Sequence, residues 1–236
     1  MKILCHFLTL TLAAILSTDS LLADDNQTSS NDVIVPFNGE NLSGWKGRED
    51  LWSAEDGQIV GRTTDEDPID GNTFLIWEGG TPSDFELTTQ FKIEGGNSGI
   101  QYRSKVVDEE KFVVAGYQAD IDSTNRYSGI LYEEKGRGIL AQRGQKVTIT
   151  EAGKKNAESF ADAAALAKGI HPGKWNDYRI VADGNHLRHY INGTLTAEVI
   201  DNQSEKAAED GVIALQLHRG PAMTIRFKKM KIRKLN

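Results

Sequence analysis

The chain has 236 residues, a formal net charge of −7 and 39% hydrophobic residues, so it is long enough to bury a core. An acidic balance, with basic residues gathered only in the interleaved stretch Arg226 to Lys234, argues against a nucleic-acid partner. The one cysteine, Cys5, excludes an intrachain disulfide framework.

Met1-Lys2, the apolar run Ile3 to Leu16 and the small residue Ala23 have the pattern of a secretory signal peptide, residues 1–23. The run is too short to cross a bilayer comfortably, and Cys5 lacks the flanking small residues of a lipoprotein site. The expectation is an exported protein, periplasmic or extracellular, without membrane insertion once the signal is cleaved. Residues 24–34, which include the polar stretch "DDNQTSSND", read as a flexible leader. Residues 35–236 show no repeat and no second composition regime, and are expected to form one domain. Nothing in the pattern specifies an oligomeric state.

From Val33 onward, short alternating runs separated by turn dipeptides predict an all-β sandwich rather than a parallel sheet with crossover helices. In "GGNSGIQYRS", Ile100 and Tyr102 point one way while Gln101 and Arg103 point the other. In "GYQADID", Tyr117, Ala119 and Ile121 alternate with Gln118, Asp120 and Asp122. Ser159 to Lys168, closed by Gly169, is the single helical pattern and is placed at the periphery. "YRIVA" meets Asp183-Gly184, "HLRHYI" meets Asn192-Gly193, and Thr194 to Ile200 follows, which predicts a three-stranded antiparallel meander. Within it His186 and His189 fall on opposite faces of one strand and cannot share a metal. In "IALQLHR", Ile213, Leu215 and Leu217 alternate with Gln216 and His218, and the basic C-terminal stretch reads as a last strand with one solvated face.

If the apolar sets share one core, Gln101, Arg103, Gln118, Asp120, Gln216 and His218 lie on the opposite faces of their sheets. Amides donate and accept at once, as sugar hydroxyls require, and Arg and Asp add charge-assisted bonds. The competing reading is three unrelated solvated strand faces.

The ordered segments "PFNGENLSGW", "LWSAEDGQIVGR", "GNSGIQYRS", "GYQADID", "SGILYE", "GKWNDYRIVADGNHLRHYINGTL" and "ALQLHRGPAMTIRFKKMKIRKL" together resemble the bacterial secreted 3-keto-disaccharide hydrolase family. The resemblance implies a concanavalin A-like, laminin G-like jelly-roll β-sandwich acting on glycosides whose glucose unit is oxidised at carbon 3. A ketone there acidifies the hydrogen at carbon 2, so a base can remove it and the aglycone can leave carbon 1 by elimination, with rehydration completing a net hydrolysis. Such a site needs a base, an enolate stabiliser and a leaving-group acid, but no carboxylate nucleophile. Glucanases of this fold resemble Glu-x-Asp-x-x-Glu on one strand, where this chain has Gln118-Ala119-Asp120-Ile121-Asp122.

On this basis Asp120 or His218 is the base and Arg103 the enolate stabiliser, while Gln101, Gln118 and Gln216 orient hydroxyls. Tyr132 and Glu133 lie in a stretch that resembles the family's groove rim and are expected as rim contacts. Of the four tryptophans, Trp77 is the one expected to stack on a sugar. No organic cofactor is expected; a divalent cation held by Asp120, Asp122 and His218 is an alternative. The rival functional reading is a non-catalytic, glycan-binding laminin G-like module, for which the same amide-rich face would serve.

Overall fold

The computed structural model describes Met1 and residues 33–235, so the expected signal sequence, Met1 aside, and the expected leader up to residue 32 lie outside the described residues. In chain order the strands are β1 (Val33–Ile34), β2 (Trp45–Lys46), β3 (Trp52–Glu55), β4 (Gln58–Thr63), β5 (Thr73–Trp77), β6 (Phe85–Glu94), β7 (Asn97–Asp108), β8 (Val113–Asp122) and β9 (Leu131–Glu134). They continue with β10 (Gly138–Ala141), β11 (Gln145–Ile149), β12 (Lys155–Ser159), β13 (Asn176–Asp183), β14 (His186–Ile191), β15 (Thr194–Asp201), β16 (Val212–Leu217) and β17 (Met223–Lys234). Helix α1 (Ala163–Ala167) sits between β12 and β13.

The strands build a two-sheet jelly-roll sandwich. The larger sheet runs β12-β11-β15-β14-β13-β6-β17-β4-β3, with β1 paired to β17, and the smaller runs β10-β9-β8-β7-β16-β5-β2. The last two residues assigned to the leader, Val33 and Ile34, are thus paired as a short edge strand.

Alternation explains why the sheets stack. Phe85, Leu87, Phe91 and Ile93 of β6 face Ile100 and Tyr102 of β7 and Tyr117, Ala119 and Ile121 of β8 in one buried cluster. Each large apolar side chain so buried contributes about 1.5–3 kcal/mol. Polar links also cross this core, Tyr117 to Asp201 at 2.6 Å and Tyr102 to His189. The Tyr102 hydroxyl lies 2.9 Å from His189 Nε2, and His189 Nδ1 lies 3.1 Å from the Ile130 carbonyl oxygen. A carbonyl can only accept, so Nδ1 carries the proton and Nε2 accepts from tyrosine. Burial drives the imidazole down to about 3, which keeps it neutral.

Local chemistry moved three boundaries. The helix begins after Asp162, whose carboxylate accepts from Ala165 N at 2.7 Å, while Ser159 ends β12. In the meander Asn192 and Gly193 turn with φ of 50° and 79°, but in the preceding hairpin Asp183 pairs with His186, so Gly184-Asn185 forms the turn. In β17, Phe227 and Met230 are both buried although three residues apart, because a bulge with Lys229 at φ 55° resets the phase.

Candidate functional site

The face of the smaller sheet turned away from the main core holds a cleft of about 830 Å³. Gln118, Asp120 and Asp122 reach it from β8, Tyr132 and Glu134 from β9, and His218 from just beyond β16.

Cross-strand register gathers the amides. Gln101 of β7 pairs with Gln118 of β8, which pairs with Tyr132 of β9, so the three side chains stand in one row. Asp120 stands opposite Gly99, where a Cβ would fall 2.6 Å from the Gln118 side chain. Glycine there leaves Gln118 room to lie beside Asp120.

A directed hydrogen-bond chain follows. Ser104 Oγ donates to Gln101 Oε1 at 2.6 Å, Gln101 Nε2 to Gln118 Oε1 at 2.6 Å, and Gln118 Nε2 to Asp120 Oδ1 at 2.7 Å. All four residues are buried. Gln101 does not reach the cleft itself; it lies beneath Gln118 and orients it. Gln216, also fully buried, lies 3.4 Å from both Gln118 and Glu134.

Asp120 is the most perturbed acid of the cleft. Burial drives its carboxyl up to about 8, against the hydrogen bond from Gln118, and the neighbouring charges of Asp122 and Glu134 push the same way as burial. The Asp122 carboxylate is engaged locally, accepting from Thr124 N at 2.8 Å and Tyr127 N at 3.2 Å. At the cleft's edge His218 Nδ1 lies 2.5 Å from the Arg219 carbonyl oxygen, so Nδ1 carries hydrogen and Nε2 is left for other chemistry. Burial, with the nearby Glu134 and Asp120, raises the Tyr132 phenol, which keeps it a neutral donor.

Three expected site residues lie elsewhere. Arg103 does not share the face of Gln101. Tyr102 pairs with Tyr117 but Lys105 with Ala115, so two residues of β7 oppose one of β8, and Arg103 takes the bulge position at φ 46°. Its guanidinium turns to the loops at the sandwich end, donating to the carbonyls of Ser83, Gly184 and Ala208 and to Asp84. Ser104, displaced by the extra residue, takes the face that alternation assigned to Arg103.

Glu133 faces inward and is clamped by Arg137, whose Nε lies 2.7 Å from Oε2 and whose other nitrogens reach Asp201. The cleft-facing residues of β9 are Tyr132 and Glu134, as period two requires. Trp77 packs in the main core beside Trp45 and is 5% exposed. The aromatic rings that line the cleft belong to Tyr127 and Tyr132.

Sequence reasoning missed Glu134 and Asn72, which bridge the cleft's rim: Asn72 Nδ2 donates to Glu134 Oε1 at 3.3 Å and Asn72 Oδ1 accepts from Arg219 N at 3.0 Å. Glu134 was legible, since it stands two residues from Tyr132. Asn72 lies before β5 in a turn that carries no such signal. Among the described residues, no group of three or more His, Cys, Asp or Glu side chains is gathered so as to hold a metal ion.

A family model described as a 3-keto-alpha-glucoside-1,2-lyase-like domain matches residues 32–233. No curated protein sequence matches the chain. Among solved structures, a proposed glycosyl hydrolase from Parabacteroides distasonis superposes with a TM-score of 0.54 at 20% identity, covering 85% of this chain and 98% of that one. A carbohydrate-binding module from Bacillus subtilis gives 0.54 at 16% identity, covering 84% and 100%. A galectin-like protein of unknown function, also from Bacillus subtilis, gives 0.53 at 13% identity, covering 81% and 90%. At these identities the likeness concerns the fold.

Proposed function

The chain belongs to the 3-keto-alpha-glucoside-1,2-lyase-like domain family, and from that premise we propose that it cleaves 3-keto-glycosides by removing the proton at carbon 2 and expelling the aglycone from carbon 1. The observation that carries the proposal is Asp120: a buried carboxyl raised to about 8, beside amides, in a cleft large enough for a sugar.

In the proposed reaction the Asp120 carboxylate takes the carbon-2 proton, and the electron pair moves into the carbon-3 carbonyl. The enolate oxygen meets neutral donors at the cleft wall, with the Tyr132 hydroxyl and the Asn97 amide in the role once expected of Arg103. The enolate then collapses, a double bond forms between carbons 1 and 2, and the carbon 1–oxygen bond breaks with its electrons leaving on the aglycone. Addition of water to that double bond would complete a net hydrolysis. Gln118 holds the carboxylate, and Gln101 and Ser104 hold Gln118. The apolar start of the chain supports export, so the proposed place of action is outside the cytoplasm.

The test is incubation of the purified chain with 3-keto-trehalose beside trehalose, following glucose release. A 3-keto substrate carrying deuterium at carbon 2 should be cleaved more slowly. Saturable binding of the 3-keto sugar without any cleavage would replace this proposal with the binding-module reading.

A further inference from the structure

The cleft does not end at its rim. A second cleft of about 610 Å³ adjoins it, and Asn72, Glu134, His218 and Arg219 line both. Its far wall comes from the β7–β8 turn, with Asp108 and Lys111, and from Lys135 in the β9–β10 turn. The first of these walls is braced, because Asp108 Oδ1 accepts from Lys111 N at 3.0 Å.

The two compartments differ in chemistry. The first is lined by the buried carboxyl Asp120 and the Gln118 amide that holds it, and the second by neither. Lys111 and Lys135, which line the second compartment and not the first, give it exposed ammonium donors suited to hydroxyl oxygens. His218 belongs to both. Glu134 also stands at the junction, but each of its carboxylate oxygens already accepts from an amide, Oε1 from Asn72 and Oε2 from Gln216.

We propose, building on the reading of the site as a 3-keto-glycoside elimination centre, that the second compartment is the subsite for the departing sugar and that His218, at the junction, protonates the oxygen leaving carbon 1. A glycoside lying across the junction places its oxidised ring beside Asp120 and its second ring beside Lys111 and Lys135. The scissile oxygen then falls at His218, whose Nδ1–H is held by the Arg219 carbonyl in either protonation state. The balance closes: carbon 2 loses its proton to Asp120, the leaving oxygen gains one from His218 Nε2, and solvent returns both groups to their starting states. The roles are thereby divided, with Asp120 acting on carbon 2 and His218 on the leaving group.

Leaving-group dependence tests the division. A 4-nitrophenolate departs without a proton, whereas glucose leaving 3-keto-trehalose needs one. His218→Ala should lose about 10²-fold or more in kcat/KM on 3-keto-trehalose and under about tenfold on 4-nitrophenyl 3-keto-glucoside. Asp120→Asn should lose alike on both. Equal losses for His218→Ala on the two substrates, or a leaving-group-dependent loss for Asp120→Asn, would overturn the assignment.

Calorimetric titration with unoxidised sugars tests the subsite without any turnover. Trehalose should bind more tightly than glucose, and the double variant Lys111→Ala/Lys135→Ala should erase that advantage while glucose binding persists. No advantage in the unaltered chain, or one that survives the double substitution, would refute the subsite. A chain inactive on every 3-keto-glycoside would defeat the elimination reading and the role of His218 with it, while the titration would still decide what the second compartment holds.

Discussion

Gln118 Nε2 donates to Asp120 Oδ1 at 2.7 Å, from two positions earlier on the same strand. The bond favours the ionised carboxylate against a burial that opposes it. A general base has to be ionised, so turnover of 4-nitrophenyl 3-keto-glucoside, whose leaving group needs no proton, should rise with pH through about 8, the value to which Asp120 is pushed. Gln118→Leu removes the donor and should move that rise to higher pH. A rise left where it was would show that the bond does not tune the base.

The same residue links activity to stability. The carboxyl binds its proton up to about 8 in the folded chain, against an ordinary value of 3.8. Below about pH 4 both states are protonated and no penalty exists; between there and pH 8 the unfolded chain gives up its proton first, so stability falls as pH rises. Asp120→Asn escapes this. It should lower turnover about 10²–10⁴-fold yet melt several degrees above the unaltered chain at pH 8 and close to it at pH 4. A variant less stable at pH 8 than at pH 4, relative to the unaltered chain, would refute the coupling.

Gln101→Leu cuts the chain one link earlier. It leaves the Gln118 amide oxygen without a partner in a buried place, at about 1–3 kcal/mol, and leaves the Ser104 hydroxyl only the Tyr102 carbonyl at 3.1 Å. The melting temperature should fall, and turnover should fall further than the lost folded fraction explains, because Gln118 is then free to rotate away from Asp120. Equal fractional losses in folded protein and in rate would reduce Gln101 to a packing role.

Across the core, His189 sets an acid limit. Its folded value is depressed to about 3, so between the ordinary histidine value of 6.5 and that point the unfolded chain takes up the proton and stability falls as pH falls. His189→Gln has no proton to take up and should flatten the loss of stability between about pH 6 and pH 3. Urea midpoints across that window measure it, and an unchanged slope would assign acid sensitivity to other groups.

The legible parts of the site were those where alternation runs unbroken. Gln118, Asp120 and Asp122 follow one another at period two on β8, and the cleft contains all three. On β9 the adjacent residues Tyr132 and Glu133, expected together at one rim, point to opposite faces, as successive residues of a strand do. Trp77 was beyond pattern, because all five residues of β5 are buried and "TFLIW" does not say which face is the core. The fold was legible as a sandwich because turn dipeptides punctuate the strands, yet bulges at Arg103 and Lys229 leave no such mark. A non-glycine residue with positive φ is a tertiary outcome: at Arg103 the conformation is held by the guanidinium's four partners, which lie 19 or more residues away.

Arg103 therefore separates a structural role from a catalytic one. Its side chain is 1% exposed and ties three loops through carbonyls at 2.8, 2.6 and 3.2 Å, with Asp84 as a part-exposed ionic partner. Arg103→Ala deprives those carbonyls of their donor and leaves a cavity at the sandwich end, a loss of several kcal/mol, on the order of 3. Lysine carries one ammonium in place of the forked guanidinium, so Arg103→Lys should recover only part of it. At a temperature where both variants remain folded, the KM for a 3-keto-glycoside and the pH at which turnover rises should match the unaltered chain, because no bond of Arg103 reaches the cleft. A melting temperature unchanged by Arg103→Ala, together with a collapse in turnover, would return this residue to the catalytic centre and refute the placement of its guanidinium.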